Sequence, residues 1–347
     1  MAKKIRTSTD AGVTWNTLPG QEGELSIEAN AIEDTIFGQD YGSSESGLAT
    51  WEVSANAYFK GFAGYIGTIK RVSTAAATMT NEPCALVSGK TYQITNAAKR
   101  QIDHATAVSV RDNAVVVAAS NILNIDYLFG RVTFVSGYTV VGAVTITGKS
   151  LTLTEVAKYK SISLTQSADA IDLTDNPTAR ANGGYTVQGQ GLKTVSCEIG
   201  GIFSTTNDFI DLVAGRTTFL VEINPDGAGM SVARGFFKPA SQSQSGAVGD
   251  LEEETLTLNL SVPAIDLMKA PFGWMHTATT LSTAVVDSLA AWESGNTIKV
   301  QYLPDGVIAG GKQGDTIVTE ASLEFATEGM NTFSFTYAGT GSIVDAT

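Results

Sequence analysis

The sequence predicts an all-β fold with short helices, made of two versions of one unit, one nested inside the other, together with a small extra β domain. Three observations predict it. Apolar and polar residues alternate with a period of two along much of the 347-residue chain. Only 16% of residues are charged and there are 35 glycines, a composition that suits sheets and turns better than helical bundles. The segments TFLVEINPDG (218–227) and TIKVQYLPDG (297–306) repeat one strand and one turn 79 residues apart.

Taken in order, the first clear strand is ATWEVSANAYF, where Trp51, Val53 and Ala55 alternate with Glu52, Ser54 and Asn56. KSISLTQS sets Ile162 and Leu164 against Ser163 and Thr165, TLTLNLSV sets Leu256, Leu258 and Leu260 against Thr255, Thr257 and Asn259, and NTFSFTYAG sets Phe333, Phe335 and Tyr337 against Thr332, Ser334 and Thr336. Each reads as a strand with one buried and one wet face. Two short helices are predicted. STTNDFIDLVAG has Ser204 or Thr206 as its cap and Gly215 as its stop; TLSTAVVDSLAAWESG has Ser282 as its cap, Val285, Val286, Leu289 and Trp292 as its apolar stripe and Gly295 as its stop. Each helix runs directly into one of the Pro-Asp-Gly strands, and Thr255–Leu258 matches Thr332–Phe335 further on.

The front halves repeat as well. LSIEANAIEDT and GLATWEVSANAYFKG resemble ISLTQSADAIDLT and GLKTVSCEIGGIF, with Trp51-Glu52-Val53-Ser54 falling on Val195-Ser196-Cys197-Glu198. The expected partition is therefore 1–72 plus 266–347 as a discontinuous first unit and 156–265 as a second unit, with 73–155 a small peripheral β domain. Chain ends close together on a surface make such an insertion tolerable.

The formal net charge of −13 argues against ordinary nucleic-acid binding, which needs cations facing phosphates. Cys84 and Cys197 are the only cysteines, too few for a disulfide framework. The start, MAKKIRTSTDAG, has no apolar run behind it and is not expected to be a secretory signal, and no stretch is expected to span a membrane.

With these features in place, the sequence resembles the major tail tube proteins of long-tailed, non-contractile bacteriophages. The likeness is carried by GELSIEANAIEDTIFGQDYGSSESGLATWEVSANAYFKGFAGY, by GLKTVSCEIGGIF, NDFIDL, FLVEINPDG and SVARGFFKPASQSQSGAVGDLEEETLTLNLSVP, and by QYLPDG and GMNTFSFTYAGTG. It implies a β-sandwich tube domain with a flanking helix, six such domains to a ring, and rings stacked into a tube. Two tube-type sandwiches per chain would make a ring of three chains, a pseudo-hexamer, favoured over a hexamer. It implies a structural virion protein with DNA passing through at ejection, with no cofactor, metal or catalytic residue. The implied partners are further copies of the chain, a tape measure protein, a tail terminator and tail tip proteins. The implied location is the virion tail, assembled in the host bacterial cytoplasm. The polar loops 36–47 and 175–191 sit where the family's inter-ring arm would be, and are expected to become ordered on assembly.

The wet faces of the matched strands supply the expected lumen lining: Ser26, Glu28, Glu52, Ser54, Ser163, Thr165, Ser196, Glu198, Glu253, Thr255 and Thr257, none of them cationic. A lysine there would add a counterion-release contact with DNA, whereas carboxylate repulsion fades within about 8–10 Å at physiological salt. Other readings are weaker. SGKT (88–91) lacks the first glycine of a phosphate loop, since Cys84 stands there. His104 and His276 lack ligand neighbours at metal spacing, and DLEEET (250–255) reads as a solvated strand start rather than a carboxylate site. A tail terminator, a baseplate hub protein or a bacterial surface-binding β protein are the alternatives.

Overall fold

The computed structural model describes residues 3–20, 22–34, 44–72, 76–156, 158–203, 209–246, 252–263, 267–268, 270–277 and 280–347. The fold is all-β with short helices. In chain order its strands are β1 (Lys4–Ser8), β2 (Asn16–Thr17), β3 (Glu22–Glu33), β4 (Ser44–Ala63), β5 (Thr68–Val72), β6 (Ala77–Ser88), β7 (Thr91–Ile94), β8 (Ser109–Asp112), β9 (Val115–Val116), β10 (Ile122–Asp126), β11 (Arg131–Phe134), β12 (Val144–Ser150), β13 (Leu153–Glu155), β14 (Tyr159–Asp172), β15 (Gln188–Ile202), β16 (Phe219–Asn224), β17 (Ser231–Ser245), β18 (Glu253–Leu260), β19 (Phe272–His276), β20 (Ile298–Leu303), β21 (Lys312–Ala326), β22 (Met330–Gly339) and β23 (Val344–Asp345). The helices are α1 (Asn176–Ala181), α2 (Phe209–Gly215) and α3 (Thr283–Ser294). Contacts divide the chain into unit 1 (1–65, 161–197 and 279–347) and unit 2 (66–160 and 198–278).

In unit 1 the hydrogen-bonded order is β2-β1-β20-β21-β22-β4-β3. β14 pairs with the far half of β21, from Ser161↔Ala326 to Ser167↔Glu320, and β15 lies beside β14. The alternation seen in the sequence is obeyed: Val53, Ala55, Ala57, Phe333, Phe335 and Tyr337 are buried, while Glu52, Ser54, Asn56, Thr332, Ser334 and Thr336 between them are at least partly exposed. α3 lies over β21 and β1 and seals this core with Val285, Leu289 and Trp292. Its start and stop are those the sequence predicts: Ser282 accepts from the Val285 N–H, and Gly295 turns left-handed at φ 76°. Inside, the Ser288 Oγ donates to the Ala284 carbonyl and lies 2.8 Å from the Tyr337 hydroxyl. Trp51 fits because Gly314 and Gly339 lack side chains; a Cβ on either would fall within 2.4 Å of its indole.

In unit 2 the order is β13-β5-β16-β17-β18, with β19 on β17 and the end of β15 beside β18. A second sheet, β10-β11-β7-β6-β12-β8-β9, is formed wholly from within 73–155. That segment does not stand apart as a peripheral domain: Met79, Ile94, Phe129, Phe134 and Ile146 share one core with Leu220, Val232, Phe236 and Met275. A polar knot is buried there too. The Arg234 guanidinium bonds Glu222 at 2.8 and 2.6 Å and the Leu128 carbonyl at 2.8 Å, while Lys70 reaches Glu222 at 3.1 Å. Burial opposes ionisation of Glu222, but Arg234 and Lys70 hold its carboxyl below the ordinary value.

The same neighbour order therefore occurs twice: β2-β1-β20-β21-β22-β4-β3, and β13-β5-β16-β17-β18-β15-β14. From β1 to β22 and from β5 to β18 the register agrees residue by residue. Ile298↔Thr316 of β20 and β21 stands 79 positions after Phe219↔Phe237 of β16 and β17, and both second strands bulge at the same point, after Val318 and after Pro239. Gln301 opposite Gln313 occupies the place of Glu222 opposite Arg234, and Arg6 meets Gln301 where Lys70 meets Glu222. The front strands agree through their glycines. A Cβ on Gly47 would lie 3.2 Å from Ile32 Cδ1 and 3.0 Å from the Asn30 carbonyl; one on Gly191 would lie 2.9 Å from Ile171 Cδ1 and 3.1 Å from the Asp169 carbonyl.

Three sequence expectations change as a result. β5 falls within the 1–72 segment assigned to the first unit, yet it holds beside β16 the place that β1 holds beside β20. Residues 161–197, assigned to the second unit, cluster with unit 1 because β14 is zipped along β21. The match of Thr255–Leu258 to Thr332–Phe335 is two residues out of register, since pairing sets Pro239↔Leu258 against Val318↔Tyr337. A slip of two keeps every side chain on its face, so alternation alone could not detect it.

Candidate functional site

The candidate site is the wet face of the long strands. In unit 1 cross-strand register builds it in rows: Ser26–Glu52–Ala338, Glu24–Ser54–Thr336–Glu320–Ser167, and Glu22–Asn56–Ser334–Ser322–Thr165, followed by Tyr58–Thr332–Glu324–Ser163. Glu28 sits opposite Thr50 on the same side. No lysine or arginine stands in these rows. Ser26, Glu28, Thr50 and Glu52 line an open hollow of about 360 Å³. Partial burial, with Glu28 and Glu320 close by, raises the Glu52 carboxyl above its ordinary value. Glu28 and Glu52 are among the residues expected from the sequence to line the site; Glu22, Glu24, Glu320 and Glu324 are not. Their signal was present: Glu320, Ser322 and Glu324 alternate with Ala321, Leu323 and Phe325, of which Ala321 and Leu323 are fully buried.

Ser196, on β15 in unit 1, lies between buried Val195 and Cys197. In unit 2, Glu198 is exposed beside buried Ile199, and Thr255 and Thr257 alternate with buried Leu256 and Leu258, opposite Ser243 and Ser241. Two cations qualify the expected lining here. Lys160 bonds Glu253 at 2.7 Å and holds its carboxyl below the ordinary value, and exposed Lys238 stands opposite Asn259.

Of the two loops expected to be arms, 36–43 lies outside the described residues, while 44–47 belongs to β4, with Ser44 opposite Glu33. The other, 175–191, carries regular structure, holding α1 and the start of β15. Asp175 and Thr178 close a capping box at the start of α1. The Ala49 N–H donates to the Gly184 carbonyl at 2.8 Å, and the Thr186 N–H to the Ala49 carbonyl at 2.9 Å.

The segments weighed as enzymatic have the following surroundings. SGKT is a hairpin turn between β6 and β7, where Lys90 donates to the Ser136 and Tyr138 carbonyls. His104 packs on Phe236 at 4.8 Å between ring centres, and His276 Nδ1 lies 3.1 Å from Ser231 Oγ. In DLEEET, Glu254 is buried and Glu253 is paired. Among the described residues no cluster of His, Cys, Asp and Glu could hold a metal ion, and no helix is long and apolar enough to cross a membrane.

No family model matches the chain, and no curated protein does. Among solved structures, it is similar to a chain in the tail of an empty GTA particle, computed with helical refinement and C6 symmetry. Identity is 16% and the TM-score 0.30, with 37% of this chain and 87% of the other covered. A likeness this slight fixes neither fold nor function.

Proposed function

We propose that the chain is a non-enzymatic structural subunit of a phage-type tail tube, a product of internal duplication that assembles as three chains per ring, with the acidic strand faces lining the bore. The observation that carries this reading is the seven-strand order present twice, with one register across β20-β21-β22 and β16-β17-β18, and with a carboxylate- and hydroxyl-bearing face on its long strands. A stacked tube needs edges that pair across subunits and a wall that does not hold DNA.

The dimensions support it. β3, β4, β22 and β21, with β14, β15, β18 and β17, are eight long strands per chain. Three chains would close 24 strands; at roughly 4.8 Å spacing and about 40° tilt the backbone cylinder is about 48 Å across. Inward side chains remove roughly 10 Å, leaving about 38 Å for a duplex about 20 Å wide. One repeat per chain in a ring of three would halve the cylinder and exclude DNA. Phosphate repulsion from Glu52 and its neighbours acts close to the wall and is screened at the centre.

Negative-stain microscopy of the concentrated protein tests the reading. Hollow tubes of even bore, with six densities per ring and threefold averaging superior to none, are expected. Single rings that do not stack would favour a terminator, and solid rods or a chain that stays monomeric at millimolar concentration would overturn the proposal.

A further inference from the structure

Inside the chain, β14 of the second repeat is already zipped onto β21 of the first: Ser163↔Glu324, Thr165↔Ser322, Ser167↔Glu320. The reciprocal joint, β3 of the first repeat on β17 of the second, is missing. Both of its edges are open. Among the described residues β3 pairs with β4 only, and on the β16 side of β17 no strand covers Ser241–Ser245, although that is the side on which β14 covers β21. We infer that β3 of one chain adds to Ser241–Ser245 of a second copy, in the antiparallel register Glu24↔Ser245, Ser26↔Ser243, Glu28↔Ser241, and that three such joints close the ring. The joint itself follows from the strand pairing; the number three rests on the tube reading above.

The register comes from the equivalences already described. The glycine contacts set Ile32 on Ile171, so Glu24, Ser26 and Glu28 fall on Ser163, Thr165 and Ser167. The shared bulge sets Ser241, Ser243 and Ser245 on Glu320, Ser322 and Glu324. The chemistry then matches with its sides exchanged. In the internal joint, serines of the front strand face glutamates of the back strand; in the proposed joint, glutamates of the front strand face serines of the back strand. Neither joint sets glutamate against glutamate, which directly opposed strands disfavour. Had the two repeats remained identical in this row, either joint could have carried like charges or none.

Three further observations agree. The row facing the core from β14, namely Ile162, Leu164, Gln166 and Ala168, is buried, whereas Ile27 in the equivalent row of β3 is 48% exposed. Gln166 donates to the Ala321 carbonyl across the internal joint at 3.3 Å. Gln242, which takes the place of Ala321 and would face Ile27, has its amide nitrogen enclosed and without a partner in the lone chain. Moreover, the edge Ser-Gln-Ser-Gln-Ser carries neither the charges nor the proline that usually blunt an exposed strand.

Disulfide trapping tests the joint in the full chain with Cys84→Ser. Thr165→Cys with Ser322→Cys calibrates the geometry through an intrachain bond. Ser26→Cys with Ser243→Cys should then give, under mild oxidation, a covalent species of three chains that closes and does not grow; Ser26→Cys with Ser245→Cys should not. A ladder of open multimers, or trapping in the shifted register, overturns the inference. Tubes without trapping would sink this joint while leaving the tube reading intact; trapped three-chain rings without tubes would do the reverse. A second measurement avoids cysteines. Ser241→Glu with Ser245→Glu should raise the concentration needed for assembly about tenfold or more, by setting carboxylates opposite Glu28 and Glu24. Adding Glu24→Ser and Glu28→Ser should restore it, because the joint then copies the internal one. Failure of that rescue in a folded protein would also overturn the inference.

Discussion

Replacing Arg234 with glutamine should reverse the pH dependence of unit 2 stability, and the structure sets the size of the effect. Arg234 and Glu222 are both more than nine-tenths buried, and Arg234 supplies two of the three bonds to that carboxylate, at 2.8 and 2.6 Å, the third being Lys70. Removing one partner of a buried pair typically costs about 3–5 kcal/mol, because the other charge stays buried without compensation. In the wild type the Glu222 carboxyl lies below its ordinary value, so its contribution is present above pH 4.5 and is lost as pH falls through the folded value. Without Arg234 only Lys70, at 3.1 Å, opposes burial, and the carboxyl is expected to rise above its ordinary value. Its effect then changes sign: the folded state is favoured below the unfolded value and disfavoured as pH rises through the folded one. The variant should therefore be weakest near pH 7 and recover relative to wild type on acidification towards pH 5. Glu222→Gln together with Arg234→Gln installs the amide pair that Gln301 and Gln313 already form at 3.1 Å in the other repeat, and should recover about 2 kcal/mol or more of the single-variant loss. Hydrogen exchange of the β16 and β17 amides, read between pH 5 and 7, isolates unit 2. A single variant whose deficit is below about 1 kcal/mol, or grows as pH falls, would refute the reasoning.

Three other outcomes are expected. Ser288→Ala should cost more than Tyr337→Phe, about 1–3 against about 1 kcal/mol by denaturant unfolding, because only the former strands the buried phenol; equal losses would count against the bond. Gly339→Ala should expel Trp51 from its seat at a cost of about 1–3 kcal/mol, visible as a red-shifted tryptophan emission, since the new Cβ would lie 2.2 Å from the indole. Glu52→Gln should raise the monomer's melting temperature slightly at pH 7 and not at pH 4, by at most about 0.5 kcal/mol for so exposed a group, because a raised carboxyl favours the fold only while protonated; a gain at pH 4 would contradict the sign.

Much of this architecture was legible in the sequence because alternation, caps and turns are local. Ser282 and Gly295 bound α3 as read, and the two Pro-Asp-Gly strands occupy equivalent positions. What escaped was set by pairing. β5 is five residues with no strong pattern of its own, and only its bond to β16 reveals that it mirrors β1. The charged cross-strand pair Glu222 and Arg234 occupies the place of Gln301 and Gln313, but the two pairs share no chemistry by which the sequence could reveal it. The acidic face was half visible: Glu52 alternates within an obvious strand, but Glu320 joins the same face, in the neighbouring row, only after a bulge shifts the register by one. The regular structure within 175–191 was not legible for a related reason, since its polar composition conceals the backbone bonds that tie it to Ala49.

The position of the inserted sheet follows from the same strand order. In the first repeat β1 and β2 are joined through residues 9–15; in the second their counterparts β5 and β13 are joined through 73–152, which holds the whole seven-stranded sheet. A hairpin turn tolerates growth because closing a longer loop adds little entropy. The choice of turn matters more. β2 and β13 end their ladders, and β3 and β14 end them on the other side, so the insertion sits at the end of the order farthest from the strand that makes a joint. The added sheet completed a core with Leu220, Val232, Phe236 and Met275 instead of capping an edge. If the chain pairs edge to edge with its copies as proposed, length added at that end leaves such a joint unaltered, and the two halves of the strand order can differ greatly in length.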